Sequence, residues 1–335
     1  MNLPVTNPFT DAFGRVHNNL RISVTDRCNI RCFYCMPEQN VEFLPREELL
    51  TFEEITRFVK IVAGRGVNRL RITGGEPLVR KDVPELIARL SRIDGIEDIA
   101  MTTNGLLLAD YVERLKAAGL QRLNISLDGL REETFQRIAR RSGVQKVIDG
   151  IEAAIDHGFE KIRLNAVSIA GITEDEIVPL ARFSMERELE LRFIEFMPLD
   201  AEEAWQKDLV LPGDRIREIL ESEFGSLVHA DRDDPSQPAM DYRFRNGSGK
   251  VGFINPVSQP FCSTCNRMRI TAEGQLRNCL FSTSEWDIRK LMRDGGSDVE
   301  IEELIRSCIA AKKPAHGIDS DDFERPEKAM FQIGG

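Results

Sequence analysis

A chain of 335 residues, 41% of them hydrophobic, can bury one large core or two modest ones. Its formal net charge of −10 excludes a bulk basic field of the kind that binds nucleic acid or an anionic membrane, but local basic clusters can still hold an anionic metabolite. The first residues have no apolar core of signal-peptide type and no apolar run is long enough to span a bilayer, so the expectation is a cytoplasmic protein with neither nucleic acid nor membrane as partner.

In chain order, "LRISVT" at 20–25 reads as a buried strand. Residues 51–63 carry apolar residues at helical spacing, with Thr51 as N-cap and Glu54 completing a capping box. Strands follow at 68–75, 97–105, 121–129, 160–169 and 189–196, and helices at 83–93, 111–119, 132–141, 144–158 and 173–187. Six strands alternating with helices predict parallel βα units, either an open doubly wound sheet or a barrel. Unusual residues gather where the strands end: Cys28–Cys35, Gly74–Glu76, Thr102–Asn104, Ser126–Asp128 and Glu195–Met197, with Asn165 in the fifth strand. In parallel α/β folds that edge carries the active site. After residue 198 the pattern changes to polar loops at 199–208 and 229–241, then short strands at 242–246 and 250–256, and a hairpin over 267–281 turning at Glu273–Gly274. Helices are expected again at 284–293 and 298–312. The expected division is 1–198 and 199–335.

The seven cysteines are odd in number, and a reducing compartment argues against disulfides. Six fall in two groups of three: Cys28, Cys32 and Cys35 at CxxxCxxC spacing, and Cys262, Cys265 and Cys279. Structural zinc takes four ligands, and His17, His157, His229 and His316 show no ligand spacing to either group. Three thiolates suit an iron–sulfur cluster with one iron left open. The second group alone leaves zinc as a competitor. Cys308 lies in an apolar helical pattern and reads as a small core residue. Asp26 and Arg27 read either as orienting the first cysteine loop or as a solvated turn. No Ser-His-Asp arrangement or P-loop is present.

CxxxCxxC after the first strand, Tyr34 just before its last cysteine and "GGEP" at 74–77 resemble the radical S-adenosylmethionine superfamily. Together with "TTNG", "SLDGL", "EFMPL", "FCSTCNRMRITAEGQLRNCLF" and the final Gly-Gly, the chain resembles, over nearly its whole length, the GTP 3′,8-cyclase family of molybdenum cofactor biosynthesis. The resemblance implies a partial (βα)6 barrel of TIM type with a C-terminal α+β region. It implies two [4Fe–4S] clusters, one on each cysteine group, and S-adenosylmethionine held by Tyr34, Gly75, Ser126 and Met197. It implies GTP as substrate, with its guanine at the second cluster and its phosphates at Arg21, Arg71, Thr102, Arg267, Met268 and Arg269. Arg163 stands where the family has lysine, so charge is kept while a point ammonium becomes a flat fork. The bland alternative for each arginine is a solvated surface charge, but Arg267 and Arg269 alternate on one strand and share a face. Gly334 and Gly335, otherwise a frayed end, are implied to reach the active site and to be needed for turnover. The implied partners are a second copy in a homodimer, an electron donor and cyclic pyranopterin monophosphate synthase downstream. Two other readings are a peptide-modifying radical enzyme with an auxiliary cluster and a non-enzymatic protein with zinc in each triad.

Overall fold

The computed structural model describes residues 7–232, 234–245 and 249–334. Six strands, β1 (Asn19–Ser23), β2 (Arg69–Thr73), β3 (Asp98–Thr103), β4 (Arg122–Ser126), β5 (Lys161–Ser168) and β6 (Glu190–Glu195), stand side by side in parallel. They alternate with helices α1 (Phe52–Ala63), α2 (Val83–Leu90), α3 (Leu108–Ala117), α4 (Glu132–Ala139), α5 (Val144–Asp156) and α6 (Glu174–Glu186). The capping box on α1 forms as its sequence predicts, with Glu54 N–H donating to Thr51 Oγ1 at 3.1 Å and Thr51 N–H to the Glu54 carboxylate at 2.8 Å.

The C-terminal third does not build a sheet of its own. Its strands β7 (Leu227–His229), β8 (Met240–Phe244), β9 (Lys250–Ile254), β10 (Arg267–Ile270), β11 (Gln275–Arg277) and β12 (Trp286–Asp287) extend the same sheet at both edges. β10 pairs parallel with β1 and β9 parallel with β6, while β11–β12 and β8–β7 continue outward in antiparallel pairs. Arg269 of β10 and Ile254 of β9, from opposite edges of the parallel run, line one cavity together with Thr102 of β3 from its middle. At about 4.8 Å per strand a flat sheet would hold those edges roughly 30 Å apart. The sheet therefore curls into an incomplete barrel, with β9 and β10 as unjoined lips.

Period-two alternation sets the two faces. Leu20 and Ile22, Leu70 and Ile72, and Met268 and Ile270 are buried in the main core, while Arg21, Arg71, Arg267 and Arg269 between or beside them face the cavity. One helix falls where none is expected, α7 (Gly213–Phe224). Ile216, Ile219, Leu220 and Phe224 recur at helical spacing there, and Ile216 and Leu220 are buried. The expected helix at 284–293 divides into β12 and α8 (Ile288–Arg293), because Trp286–Asp287 pairs with β11 and the Asp287 carboxylate caps Lys290 N–H at 2.8 Å. α9 (Asp298–Ala310) buries Cys308. A short α10 (Met330–Ile333) folds the tail back onto the barrel.

At Gly150 of α5, helix propensity and packing pull in opposite directions. Replacing a mid-helix glycine by alanine normally gains about 1 kcal/mol. Here an added Cβ would stand 2.8 Å from the Gly105 carbonyl oxygen and 3.1 Å from Leu108 Cβ. Gly150→Ala is expected to lose stability, by roughly 1–2 kcal/mol net of the propensity gain, seen as a lower urea midpoint. A higher midpoint would show that the Gly105 turn yields freely.

Candidate active site

The loop after β1 carries the first triad, and the barrel holds that loop from several sides. Arg31 and Phe33 N–H donate to the carbonyls of Ala139 and Ile138 at the end of α4, at 2.9 and 3.1 Å. Asp26 is buried and accepts from Leu44 N–H at 2.6 Å, so it orients the loop and is not part of a solvated turn. The β2 loop packs directly against it. Gly75 and Glu76 N–H donate to the Thr25 and Arg27 carbonyls at 2.7 and 2.8 Å, and a Cβ on Gly75 would fall 2.5 Å from the Arg27 oxygen. The glycine pair is thus required by close backbone approach.

Cys28, Cys32 and Cys35 are free thiols and line the same cavity as Tyr34, Gly75, Ser126 and Met197. Burial pushes the Cys28 thiol up to about 11, with the Glu76 charge adding. Cys32 and Cys35 are also raised, by burial first and then by neighbouring negative charge that includes the other cysteines. Among the described residues, no three His, Cys, Asp or Glu side chains converge on a single-ion point. Three soft thiols in a sheltered wall, close enough to repel each other as thiolates, fit a polynuclear cationic centre that spans them and draws off their protons.

Two buried carboxyls frame this wall. Glu76 accepts from Thr103 Oγ1 at 2.8 Å and from Asn104 and Leu78 N–H at 2.7 and 3.1 Å, tying the β2 and β3 loops together. Burial pushes it up to about 7. Asp128 accepts from the Tyr34 hydroxyl at 2.7 Å and from Val167 N–H at 2.8 Å, and burial pushes it up to about 6.

The same cavity also has a cationic lining. Arg269, Arg21 and Arg71 share one register row across β10, β1 and β2. Burial first, and then the neighbouring guanidiniums, lower the pKa of Arg21 and Arg71 well below the ordinary arginine value. Thr102, Arg267 and Arg269 line the same space. Met268 corrects one expectation: its side chain is fully buried in the hydrophobic core on the other face of β10 and does not line the cavity. Arg163 is also apart from this cavity. It is ion-paired with Glu190 and lines a second space at the strand starts. Arg192 lines both spaces and was not singled out from the sequence. Its signal was an arginine inside the apolar run "LRFIEF".

Cys262, Cys265 and Cys279, also free, line a separate cavity with Arg15, Lys312 and His316. Their chain neighbours Phe261 and Leu280, with Arg267, face the first cavity, so this segment forms the partition between the two. Arg267 Nε and Nη2 lie 3.3 Å from Cys265 Sγ, and Lys312 Nζ lies 3.7 Å away. Burial alone would raise the Cys265 thiol, but Arg267 and Lys312 outweigh it and bring it down to about 6. Among the described residues Lys312 has no carboxylate ion-pair partner, and it donates to the Asn278 and Arg267 carbonyls at 2.5 and 3.2 Å. Arg15 donates to the Cys262 carbonyl at 2.7 Å and pairs with Asp11 at 2.6 Å. Burial raises the Cys262 thiol. Cys265, whose thiolate is favoured by neighbouring cations, with two further thiols on the same cavity, fits a thiolate-held metal group.

The tail reaches the first cavity. Met330 lines it, and the Gly334 carbonyl accepts from Arg269 at 3.0 Å. Gly334 has φ +83°, and a Cβ there would fall 2.6 Å from Ser23 Cβ and 2.8 Å from Thr73 Oγ1, so only glycine fits between the ends of β1 and β2. Gly335 lies outside the described residues.

Residues 22–184 match the model of the Radical SAM superfamily and residues 189–318 that of Molybdenum Cofactor Synthesis C. A GTP 3′,8-cyclase of Rhodopirellula baltica is 56% identical over 328 residues, covering 97% of this chain and 91% of that protein. A GTP 3′,8-cyclase of Pelotomaculum thermopropionicum is 44% identical, covering 97% and 99%. The solved structure of Streptococcus suis SuiB bound to S-adenosylmethionine superposes with a TM-score of 0.61 over 88% of this chain and 67% of that one, at 16% identity, a likeness of fold. No helix among the described residues is long and apolar enough to cross a membrane. By its two matched models and its near full-length identity to these relatives, the chain belongs to the GTP 3′,8-cyclase family of the radical S-adenosylmethionine superfamily.

Proposed function

We propose that this chain converts GTP to 3′,8-cyclo-7,8-dihydro-GTP, the first step of molybdenum cofactor biosynthesis. The observation that carries this reading is one cavity lined both by the first cysteine triad, in the loop after β1, and by a row of arginines on β10, β1 and β2. Cys28, Cys32 and Cys35 would hold a [4Fe–4S] cluster, with Tyr34, Gly75, Ser126 and Met197 around S-adenosylmethionine. When bound, that pair supplies a hydrogen-abstracting 5′-deoxyadenosyl radical. The protein's own work is positioning. Guanidinium forks suit phosphate oxygens, so Arg21, Arg71, Arg267 and Arg269, with Thr102, would hold the triphosphate and direct ribose C3′ and guanine C8 toward the first triad. Asp128 would keep Tyr34 in place, and Glu76 would fix the β2 loop. Cys262, Cys265 and Cys279 would hold a second cluster, with the guanine approaching it past Phe261 and Leu280. The radical half would span 1–198 and the substrate-capping half 199–335. We also carry forward a homodimer in the cytoplasm, an external electron donor and transfer of product to cyclic pyranopterin monophosphate synthase.

The decisive assay is anaerobic. Protein reconstituted with iron and sulfide, then given S-adenosylmethionine, dithionite and GTP, is expected to form 5′-deoxyadenosine with matching loss of GTP. Deoxyadenosine without GTP loss would move the substrate to another class, a peptide first. An iron-loaded protein that makes none would remove the radical reading. Arg163→Ala is expected to weaken GTP binding several-fold, roughly 1 kcal/mol for a partly screened charge, measured by equilibrium dialysis; unchanged affinity would remove Arg163 from phosphate binding. Deleting Gly334–Gly335 releases Arg269 and is expected to abolish turnover while iron content stays at wild-type level. A fully active truncated protein would make the tail a mere terminus.

A further inference from the structure

The barrel has a second opening at the end where its strands begin. Asn19, Arg69, Asp98, Arg122, Lys161 and Glu190 are the first residues of β1 to β6, and all six line a cavity there. Arg21, Arg71, Arg192 and Arg267 line both this cavity and the one that holds the first triad, so the two spaces meet at a belt of guanidiniums. At that junction Arg21 Nε and Arg192 Nε are buried without a hydrogen-bond partner among the described residues, and Arg192 is only 5% exposed. Arg192 Nη2 also lacks a hydrogen bond there, with the Glu190 and Asp241 carboxylates at ion-pair range, 3.6 and 4.0 Å. Buried donors left without a hydrogen bond call for an acceptor that arrives from outside.

The two ends of the barrel differ in chemistry. The end with the triads is stoppered by the tail: Ala329 and Phe331 are buried with Met36, Ile333 is buried with Leu199 and Phe281, and Gly334 is wedged between Ser23 and Thr73. The other end is polar. Arg69–Asp234, Arg122–Asp98 and Arg163–Glu190 pair around its rim. Among the described residues its lining carries nine cations against five acids, on a chain whose net charge is −10. A concave cationic opening on an acidic protein focuses an anion toward itself.

Building on the GTP reading above, we propose that this lower cavity is the port by which the nucleoside triphosphate enters and the cyclised product leaves, the base and ribose passing the arginine belt ahead of the phosphates, which the rim cations draw in and the belt then holds. The base and ribose then lie on the side of the belt that faces the first triad. Barrel enzymes ordinarily admit substrate at the C-terminal ends of their strands; here the tail and the cysteine loops occupy that face.

Two charge reversals of equal size separate this route from a general charge effect. Lys161 is exposed at the rim. Lys81 follows the β2 loop at the opposite end, its side chain 92% exposed. In the iron–sulfur-reconstituted protein, binding of radiolabelled GTP is followed by rapid filtration at low and high salt. Lys161→Glu is expected to slow association about threefold or more at low salt, the difference collapsing at high salt, while Lys81→Glu stays near the unsubstituted rate. Lys161→Trp narrows the port and is expected to slow association and dissociation together, leaving Kd within about twofold, which a merely structural defect would not do. Equal association rates for Lys161→Glu and Lys81→Glu, or a Lys161→Trp protein with both rates unchanged, overturn the port while leaving the substrate reading intact. Failure of the unsubstituted protein to bind GTP overturns the substrate reading and this route with it.

Discussion

Three arginines stand in one row across adjacent strands: Arg269 on β10, Arg21 on β1 and Arg71 on β2. Directly opposed like charges on neighbouring strands repel, and the cost grows where water is partly excluded. Arg269 is 4% exposed and, among the described residues, hydrogen-bonds a backbone carbonyl, that of Gly334. The row is stable because the strands beneath it are locked by a core the arginines do not share, with Leu20, Ile22, Leu70, Ile72, Met268 and Ile270 on the opposite face. That arrangement leaves a surplus of positive charge in a sheltered cavity, the charge that a polyanion would neutralise. The rest of the site is arranged around that row, with the thiols lining the same cavity, the tail against Arg269 and a second cation-rich cavity at the strand starts.

The C-terminal region serves the site by completing the barrel wall. β10 supplies one of the three arginines in the row and also separates the first cavity from the second triad. Arg267 faces both ways, lining the first cavity while its guanidinium rests 3.3 Å from Cys265 Sγ. A single side chain thus connects the anion-binding wall to the second thiol group, through a contact that favours the thiolate form. Arg15, from the N-terminal segment, secures the same partition through the Cys262, Lys313 and Pro314 carbonyls at 2.7, 2.9 and 3.1 Å. The segment before β1 and the segment after α9 therefore meet at the second triad.

Much of the site was legible because its chemistry is local in sequence. CxxxCxxC and "GGEP" each fall within a few consecutive residues, so their spacing could be read directly, although the contacts that demand the glycines, at 2.5 to 2.7 Å, come from Thr25 to Arg27 on the neighbouring loop. Arg267 and Arg269 were legible from alternation alone. The same rule, applied strictly, places Met268 in the core, where the structure has it. Helix α7 was missed although Ile216, Ile219, Leu220 and Phe224 spell its apolar stripe, because polar residues around it dilute the pattern.

By itself the sequence determined the βα alternation, the three-thiol groups and which residues of each strand face together, since these depend on spacing along one chain. Only the tertiary structure decided which strands become neighbours. Pairing β10 with β1 and β9 with β6 joins residues more than fifty positions apart, through backbone hydrogen bonds that carry no side-chain signature. That pairing made one row of Arg269, Arg21 and Arg71, set the second triad behind a partition, moved Arg163 to the lower cavity beside Glu190, and seated Gly334 where no Cβ can go.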